Sequence, residues 1–332
     1  MGIAPLGTRV PRVVFIVGVP RSGTTWTLLL LAQHPDVAAF QQSALFEALK
    51  PIADWWESTG GYGKRIITYE AANERGDAPG ERATQVVGGV LKGEALDELG
   101  GPLVRHVFQQ IAATTGRRTV IEQTPENLDL AAHILRFLPD AYFLHVIRDP
   151  RAVFCSQRNA TKTWAAGRFS KSPSRVASLW CDGLDRGDAL RRLTPRYREI
   201  RYEDLLRDGA TQLLGIFEWL GLPADESLCE RAIEACTIDK LRGTSLGPDQ
   251  FFRQGQAEAW RDEATKAQVH AIEYVAGGRM ERLGYSLVSR HPTRRGSGEV
   301  ARQSAQRIVR PIAQRAGPFL RRVRDRVVSW LD

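Results

Sequence analysis

The chain has 332 residues, of which 43% are hydrophobic and 25% charged, and a formal net charge of +8. This is ordinary globular composition, sized for one large α/β domain or one domain with an appendage, and it argues against a fibrous or disordered chain. No apolar run approaches the roughly 18 residues of a spanning helix, and no signal peptide is recognised, so a cytoplasmic location is expected.

The charge is uneven. Residues 290–332 hold eleven arginines against Glu299, Asp325 and Asp332, so this tail carries the whole excess and the body before it is formally neutral. The basic balance therefore says little about the ligand of the main domain. Nucleic acid is not an expected partner, because stacking aromatics are not interleaved with those arginines. Cys155, Cys181, Cys229 and Cys236 form no CxxC pair and the six histidines are scattered. Buried thiols and no metal are the expectation.

In chain order, VVFIV (residues 13–17) is a β-branched run that predicts a strand covered on both faces. TTWTLLLLAQH reads as the buried helix that follows it. Between them, Gly18 and Gly23 have the spacing of a nucleoside-triphosphate loop, with Thr24 in the place of the lysine and Thr25 in that of the magnesium ligand. Backbone amides at a helix start hold phosphate whatever the side chains are. Arg21 adds a permanent charge and a fork of donors. An anion site is expected here, and an ordinary ATPase less so.

ALFEALKPIADWWESTG suggests a helix interrupted before Pro51, with Trp55 and Trp56 either lining a pocket or filling a core. Residues 70–85 are polar and Gly-rich, as in a surface loop. A helix with a glycine stop follows and carries His106. TVI is a short strand; Thr124 can cap a helix with Pro125 at its first position, leaving Glu122 and Gln123 between strand end and helix start. AYFLHVI, which contains His145, is another strand, with Arg148 at its carboxyl end, Asp149 as cap and Pro150 opening the helix. YREIRYEDLL turns from strand into helix, and the rest is mostly helical, with FFRQGQAEAWRDEAT as a polar loop. Strand ends feeding helices describe a three-layer α/β fold, an open parallel sheet flanked by helices as in P-loop NTPases, with ligands outside the strands' carboxyl ends. In the tail, Val309, Ile312, Ala316, Phe319, Val323 and Val327 recur at steps of three and four with arginines between them. That pattern predicts a basic amphipathic helix, for an anionic membrane surface or for docking on its own domain. The expected domains are 1–289 and 290–332.

VPRSGTTW resembles the 5′-phosphosulfate loop of sulfotransferases, which use 3′-phosphoadenosine 5′-phosphosulfate (PAPS), and RDPRAVFCS resembles their 3′-phosphate loop. EQTPEN, RYEDLL, the RQG of FFRQGQAEAW and MERLGY are similar to further family segments, in family order from about residue 13 to 285. The resemblance implies that Arg21, Ser22, Gly23, Thr24 and Thr25 hold the bridging phosphate and sulfonate, with Trp26 packing behind. It implies that Arg148 and Ser156 clamp the 3′-phosphate, that Tyr202 lies near the adenine, and that Arg253, Gln254 and Gly255 close over the 3′-phosphate. Glu122 matches the general base of glycan-type members; His106 and His145 are the alternatives. Arginine at position 21 is itself a glycan-type trait, whereas Gln123 and Gln254 stand where the family often has lysine. The implied reaction is metal-free, in-line transfer of sulfonate from PAPS to a hydroxyl, or an amine, of a small molecule, sugar or natural product. The product is adenosine 3′,5′-bisphosphate (PAP). Trp55, Trp56 and Trp164 are candidates for an aromatic acceptor wall. The rival readings are a P-loop small-molecule kinase using ATP and a non-enzymatic membrane- or partner-binding module acting through the tail. Homo-oligomerisation is left open.

Overall fold

A computed structural model describes residues 10–59, 66–67, 86–87, 95–242 and 256–289. The elements run β1 (Arg12–Val17), α1 (Thr24–Leu31), β2 (Val37–Gln41), α2 (Leu45–Thr59), β3 (Ile66–Ile67), β4 (Val86–Val87), α3 (Ala95–Thr115), β5 (Thr119–Gln123), α4 (Asn127–Phe137) and β6 (Tyr142–Ile147). They continue with α5 (Pro150–Lys162), α6 (Pro173–Leu193), β7 (Tyr197–Arg201), α7 (Tyr202–Arg207), α8 (Gly209–Trp219), α9 (Glu226–Ala235), α10 (Ile238–Leu241), α11 (Trp260–Glu263) and α12 (Lys266–Arg282).

The main sheet has the order β2-β5-β1-β6-β7, and each of its pairings is parallel. Because side chains alternate along a strand, β1 feeds two cores at once. Val14 and Ile16 pack with α1, α8 and α9 on one face. Val13, Phe15 and Val17 pack with α3 and α4 on the other. This is the α/β architecture expected from the sequence, with helices on both sides of the sheet. The chain crosses from β1 to the β5 side and later to the β6 side, so β1 borders the switch point where ligands bind in such sheets.

Several local expectations hold. Asp149 accepts from the Arg151 backbone N–H at 2.8 Å, with Pro150 as the first residue of α5. All four cysteines are buried thiols. His145 is a core residue: it is 1% exposed, and its Nδ1 meets the Tyr197 hydroxyl at 2.8 Å. Burial lowers its pKa to about 3, so it stays neutral beside Arg191.

Three expectations need correcting. Residues 37–41 form the edge strand β2, which the sequence reading did not single out; its two consecutive alanines weaken the β signal. Helix α2 runs on through Pro51. Pro51 lies on an exposed face, and the apolar face of α2, with Phe46, Ala53 and Trp56 buried, holds the helix together. Thr124 does not cap α4, whose first helical residue is Asn127; its hydroxyl donates to the Glu122 carboxylate instead. The polar stretch before residue 85 and the 290–332 tail lie outside the described residues.

Candidate active site

The turn from β1 into α1 builds the floor of the site. Gly18 (φ 152°), Arg21 (φ 78°) and Gly23 (φ 97°) carry it into α1. A Cβ on Gly18 would sit 2.6 Å from the Val146 carbonyl oxygen, and one on Gly23 would sit 2.3 Å from Tyr202 Cδ2. Both glycines are therefore required by close approach as well as by backbone conformation. Arg21 is held in a left-handed conformation that costs a non-glycine residue about 1 kcal/mol or more, the kind of strain found at ligand sites.

Arg21 Nε donates to the Ser156 hydroxyl at 3.2 Å, and Arg148 Nη1 donates to the Arg21 carbonyl at 3.3 Å. The Arg148 guanidinium lies 4.3 Å from the Tyr202 ring centroid. The loop after β1, the end of β6 and the middle of α5 thus meet at one place. Arg21, Thr24, Thr25, Trp26, Arg148, Ser156 and Tyr202 all line a single cavity. Thr24 and Thr25 are tied to β5 by Gln123, whose Nε2 donates to Thr24 Oγ1 at 3.0 Å and whose Oε1 accepts from Thr25 Oγ1 at 3.4 Å. Trp26 packs behind the loop, its indole N–H donating to the Cys236 carbonyl at 2.8 Å.

Two polar atoms in this region are buried without a hydrogen-bond partner among the described residues: Ser22 Oγ and Arg148 Nε. Buried donors are rarely left unpaired. Ser22 is 1% exposed and is not among the residues that line the cavity. Arg21, Arg148 and Arg168, the helix-start amides of α1 and the hydroxyls of Thr24, Thr25 and Ser156 form a donor-rich cavity suited to a ligand with several anionic oxygens. Among the described residues no group of His, Cys, Asp and Glu is arranged to hold a metal ion.

Glu122 does not line this cavity. It is 0% exposed. Its Oε1 accepts from the Ser43 backbone N–H (3.3 Å), the Ser43 hydroxyl (3.2 Å) and the Thr124 hydroxyl, and its Oε2 accepts from Asn127 Nδ2. Burial raises its pKa, and these donors pull partly the other way. Gln42 (φ 56°) and Ala44 (φ 53°) flank Ser43, so a strained turn after β2 brings the serine onto Glu122. His106 does not line the cavity either; on α3 its Nε2 meets the Gln110 side chain at 3.3 Å. Arg253, Gln254 and Gly255 lie outside the described residues.

The cavity also uses residues that the sequence reading passed over: Gln42, Glu126, Arg168, Phe169, Trp260 and Glu263. Gln42 follows the unrecognised β2. Glu126 lay in plain sight within EQTPEN, and Trp260 within FFRQGQAEAW. Of the three tryptophans proposed for an acceptor wall, Trp164 lines the cavity, 5.4 Å from the Arg21 guanidinium, and Trp55 and Trp56 do not. Trp260 is set by Arg151, whose guanidinium lies 3.8 Å from its ring centroid. Arg151 is in turn clamped between Asp149 and Glu273, each at 2.6 Å.

A parallel α/β sheet flanked by helices, with a glycine-rich, arginine-bearing loop opening a helix at its switch point, is the architecture of a P-loop-like α/β fold. Residues 11–226 match the profile described as "Sulfotransferase family", and the chain belongs to that family. It is 24% identical over 321 residues to the Nodulation protein NoeE of Sinorhizobium fredii, covering 89% of this chain and 70% of that protein. It is 32% identical over 114 residues to the Omega-hydroxy-beta-dihydromenaquinone-9 sulfotransferase Stf3 of Mycobacterium tuberculosis, covering 32% of this chain and 29% of that protein. Among solved structures, the mouse sulfotransferase SULT7A1 complexed with PAP superposes with a TM-score of 0.52 at 14% identity, over 90% of this chain and 89% of that one. That likeness bears on the fold. No helix among the described residues is long and apolar enough to cross a membrane.

Proposed function

We propose that this chain transfers the sulfonate of PAPS to a hydroxyl of a small molecule or sugar. The observation that carries the reading is the convergence of Arg21, Arg148 and Ser156 on one donor-rich cavity, with Arg148 Nε lacking a partner among the described residues. PAPS has two separate anionic groups, a 3′-phosphate and a 5′-phosphosulfate, and two of the lining arginines, Arg21 and Arg148, come from two separate elements to meet them.

In this reading Arg21, Ser22, Gly23, Thr24 and Thr25 grip the phosphosulfate, and Arg148 and Ser156 grip the 3′-phosphate. Tyr202, packed on Gly23 and under Arg148, forms a wall near the adenine. The helix start of α1, which lines the cavity, supplies amides to the oxygens on which charge develops. The acceptor oxygen gives up its proton to a base as it attacks sulfur, the bond from sulfur to the bridging oxygen breaks, and its electrons leave with PAP. Residues 253–255 are the proposed closing segment. The arginine at position 21 favours a glycan-type acceptor over a phenol. The mycobacterial relative, named as an omega-hydroxy-beta-dihydromenaquinone-9 sulfotransferase, supports a hydroxyl as the group modified.

Residues 1–289 are proposed as the catalytic unit and residues 290–332 as a basic appendage. Glu273 accepts from the backbone N–H of Val288 and Ser289 at 3.1 and 2.8 Å, which ties this segment to α12 and supports counting it with the catalytic unit. The activity is tested by incubating the protein with PAPS labelled on sulfur and a panel of sugars and alcohols, with mass detection. Sulfated product is expected, and a truncation before Arg290 should retain turnover. PAPS left intact with every acceptor and with water alone would overturn the reading.

A further inference from the structure

Resting on the sulfonate-transfer reading, we infer that Glu126, and not Glu122, takes the proton of the acceptor hydroxyl. Two carboxylates line the cavity, Glu126 and Glu263. Glu263 is engaged with α5: it accepts from Asn159 Nδ2 at 2.6 Å and lies 3.8 Å from the Arg158 guanidinium. Glu122, one strand position from Gln123, is sealed off by Ser43, Thr124 and Asn127. Its two oxygens already accept four hydrogen bonds, and no acceptor molecule can reach them without dismantling that shell.

Glu126 is placed differently. It precedes α4, directly after Pro125, whose carbonyl accepts from the Gly18 backbone N–H at 3.3 Å. The phosphate loop and the Glu126 turn are therefore pinned together at their starts. A second path of contacts reaches Glu126 across the cavity. The Arg21 guanidinium lies 5.4 Å from the Trp164 ring centroid, and Trp164 meets Phe169 edge to face at 6.4 Å. Arg168 lies 5.8 Å from the Phe169 ring and 3.5 Å from the Glu126 carboxylate. The Glu126 side chain is 37% exposed, which leaves it reachable from the cavity. Trp164 and Phe169 offer flat apolar faces beside it, and a carboxylate paired with a guanidinium offers planar polar groups. Together they suit a ring-bearing polyol whose reacting hydroxyl faces Glu126.

The step balances without any further reagent. The acceptor O–H bond breaks with its proton going to a Glu126 oxygen, the acceptor oxygen bonds to sulfur, and the sulfur–oxygen bond to PAP breaks with its electrons on phosphate. The proton then passes to water.

The test uses the full chain and PAPS, with conversion to PAP measured both with an acceptor and with water alone, so that the natural acceptor need not be known. Glu126→Gln and Glu126→Ala should lower conversion by at least about 100-fold, the usual contribution of a positioned general base. Both should keep the parent's thermal stabilisation by PAP, which shows an intact nucleotide site. Added formate, against chloride at equal ionic strength, should restore conversion by Glu126→Ala in a concentration-dependent way. It should not restore Glu122→Ala. Conversion by Glu126→Gln within threefold of the parent, or formate rescue confined to Glu122→Ala, would overturn the assignment. A parent chain that neither binds PAP nor converts PAPS would overturn the sulfonate-transfer reading itself.

Discussion

Arg21 Nε donates to the Ser156 hydroxyl at 3.2 Å, joining two residues 135 positions apart in the chain. One sits in the turn after β1 and the other in α5, after β6. The two halves of the proposed nucleotide site are thus wired together, and Arg148 closes the circuit through the Arg21 carbonyl at 3.3 Å. Loss of either partner should weaken nucleotide binding more than folding. Ser156→Ala is expected to lower PAP affinity about tenfold, and Arg148→Ala by about tenfold to a hundredfold, the range for hydrogen bonds to charged groups. Calorimetric titration measures both. Unchanged affinity in Arg148→Ala would remove it from the 3′-phosphate.

Gly23→Ala should damage the cradle directly. Its φ of +97° and the 2.3 Å approach of Tyr202 Cδ2 leave no room for a Cβ. The expected loss of stability is about 2–3 kcal/mol, with loss of PAP binding. Gly116→Ala is the comparison: φ is +67°, but a Cβ there meets nothing within 4 Å. It should cost about 1 kcal/mol and leave binding intact. Urea unfolding of the two variants separates crowding at the site from backbone conformation alone.

The buried Glu122 gives a pH signature. Its pKa is raised above the ordinary value of 4.5, chiefly by burial. In the pH range between the unfolded and folded values the native state binds more protons than the unfolded chain, so this residue's contribution falls as pH rises. Stability of the parent relative to Glu122→Gln should therefore be highest below pH 4.5 and decline as pH rises through the raised value, then level off. Taking the difference between the two proteins cancels the other raised carboxylates, Glu57, Asp129, Asp185 and Glu203. A difference that stays flat or rises across this range contradicts the burial seen for Glu122.

Arg151 should matter for folding well beyond its one position. Its side chain is 3% exposed, with Asp149 and Glu273 at 6% and 2%, and it also donates to the Ser286 carbonyl at 3.0 Å. Arg151→Met leaves two buried carboxylates without their cation, a loss of about 3–5 kcal/mol. Arg261→Ala, which removes an exposed ion pair to Glu258, should cost less than about 1 kcal/mol. Equilibrium denaturation of both variants reads the contrast.

How much of this was legible in the sequence depended on whether a residue's role is local. The glycine-rich turn from β1 into α1, the Asp149–Pro150 cap and the strand–helix alternation follow from neighbours in the chain, and each is found. Glu122 and Glu126 show where local reading stops. Both fall in EQTPEN at a strand end, and the family pattern points to the first. Which one faces the cavity depends on Ser43, brought in by a strained turn after an edge strand that the sequence barely marks. Thr124 likewise has the chemistry of a helix cap, but a buried carboxylate two residues away is the stronger claim on its hydroxyl. His106 matched a family role by residue type, and its place on α3 puts it outside the cavity lining.

The central claim is that the cavity holds PAPS and not ATP. Thermal unfolding and calorimetry with PAP, set against ATP with Mg²⁺, test it most directly. The account predicts that PAP binds and raises the melting temperature, that ATP with Mg²⁺ does less, and that Arg148→Ala abolishes most of the difference. Protection by ATP with Mg²⁺ alone, with none from PAP, would contradict it.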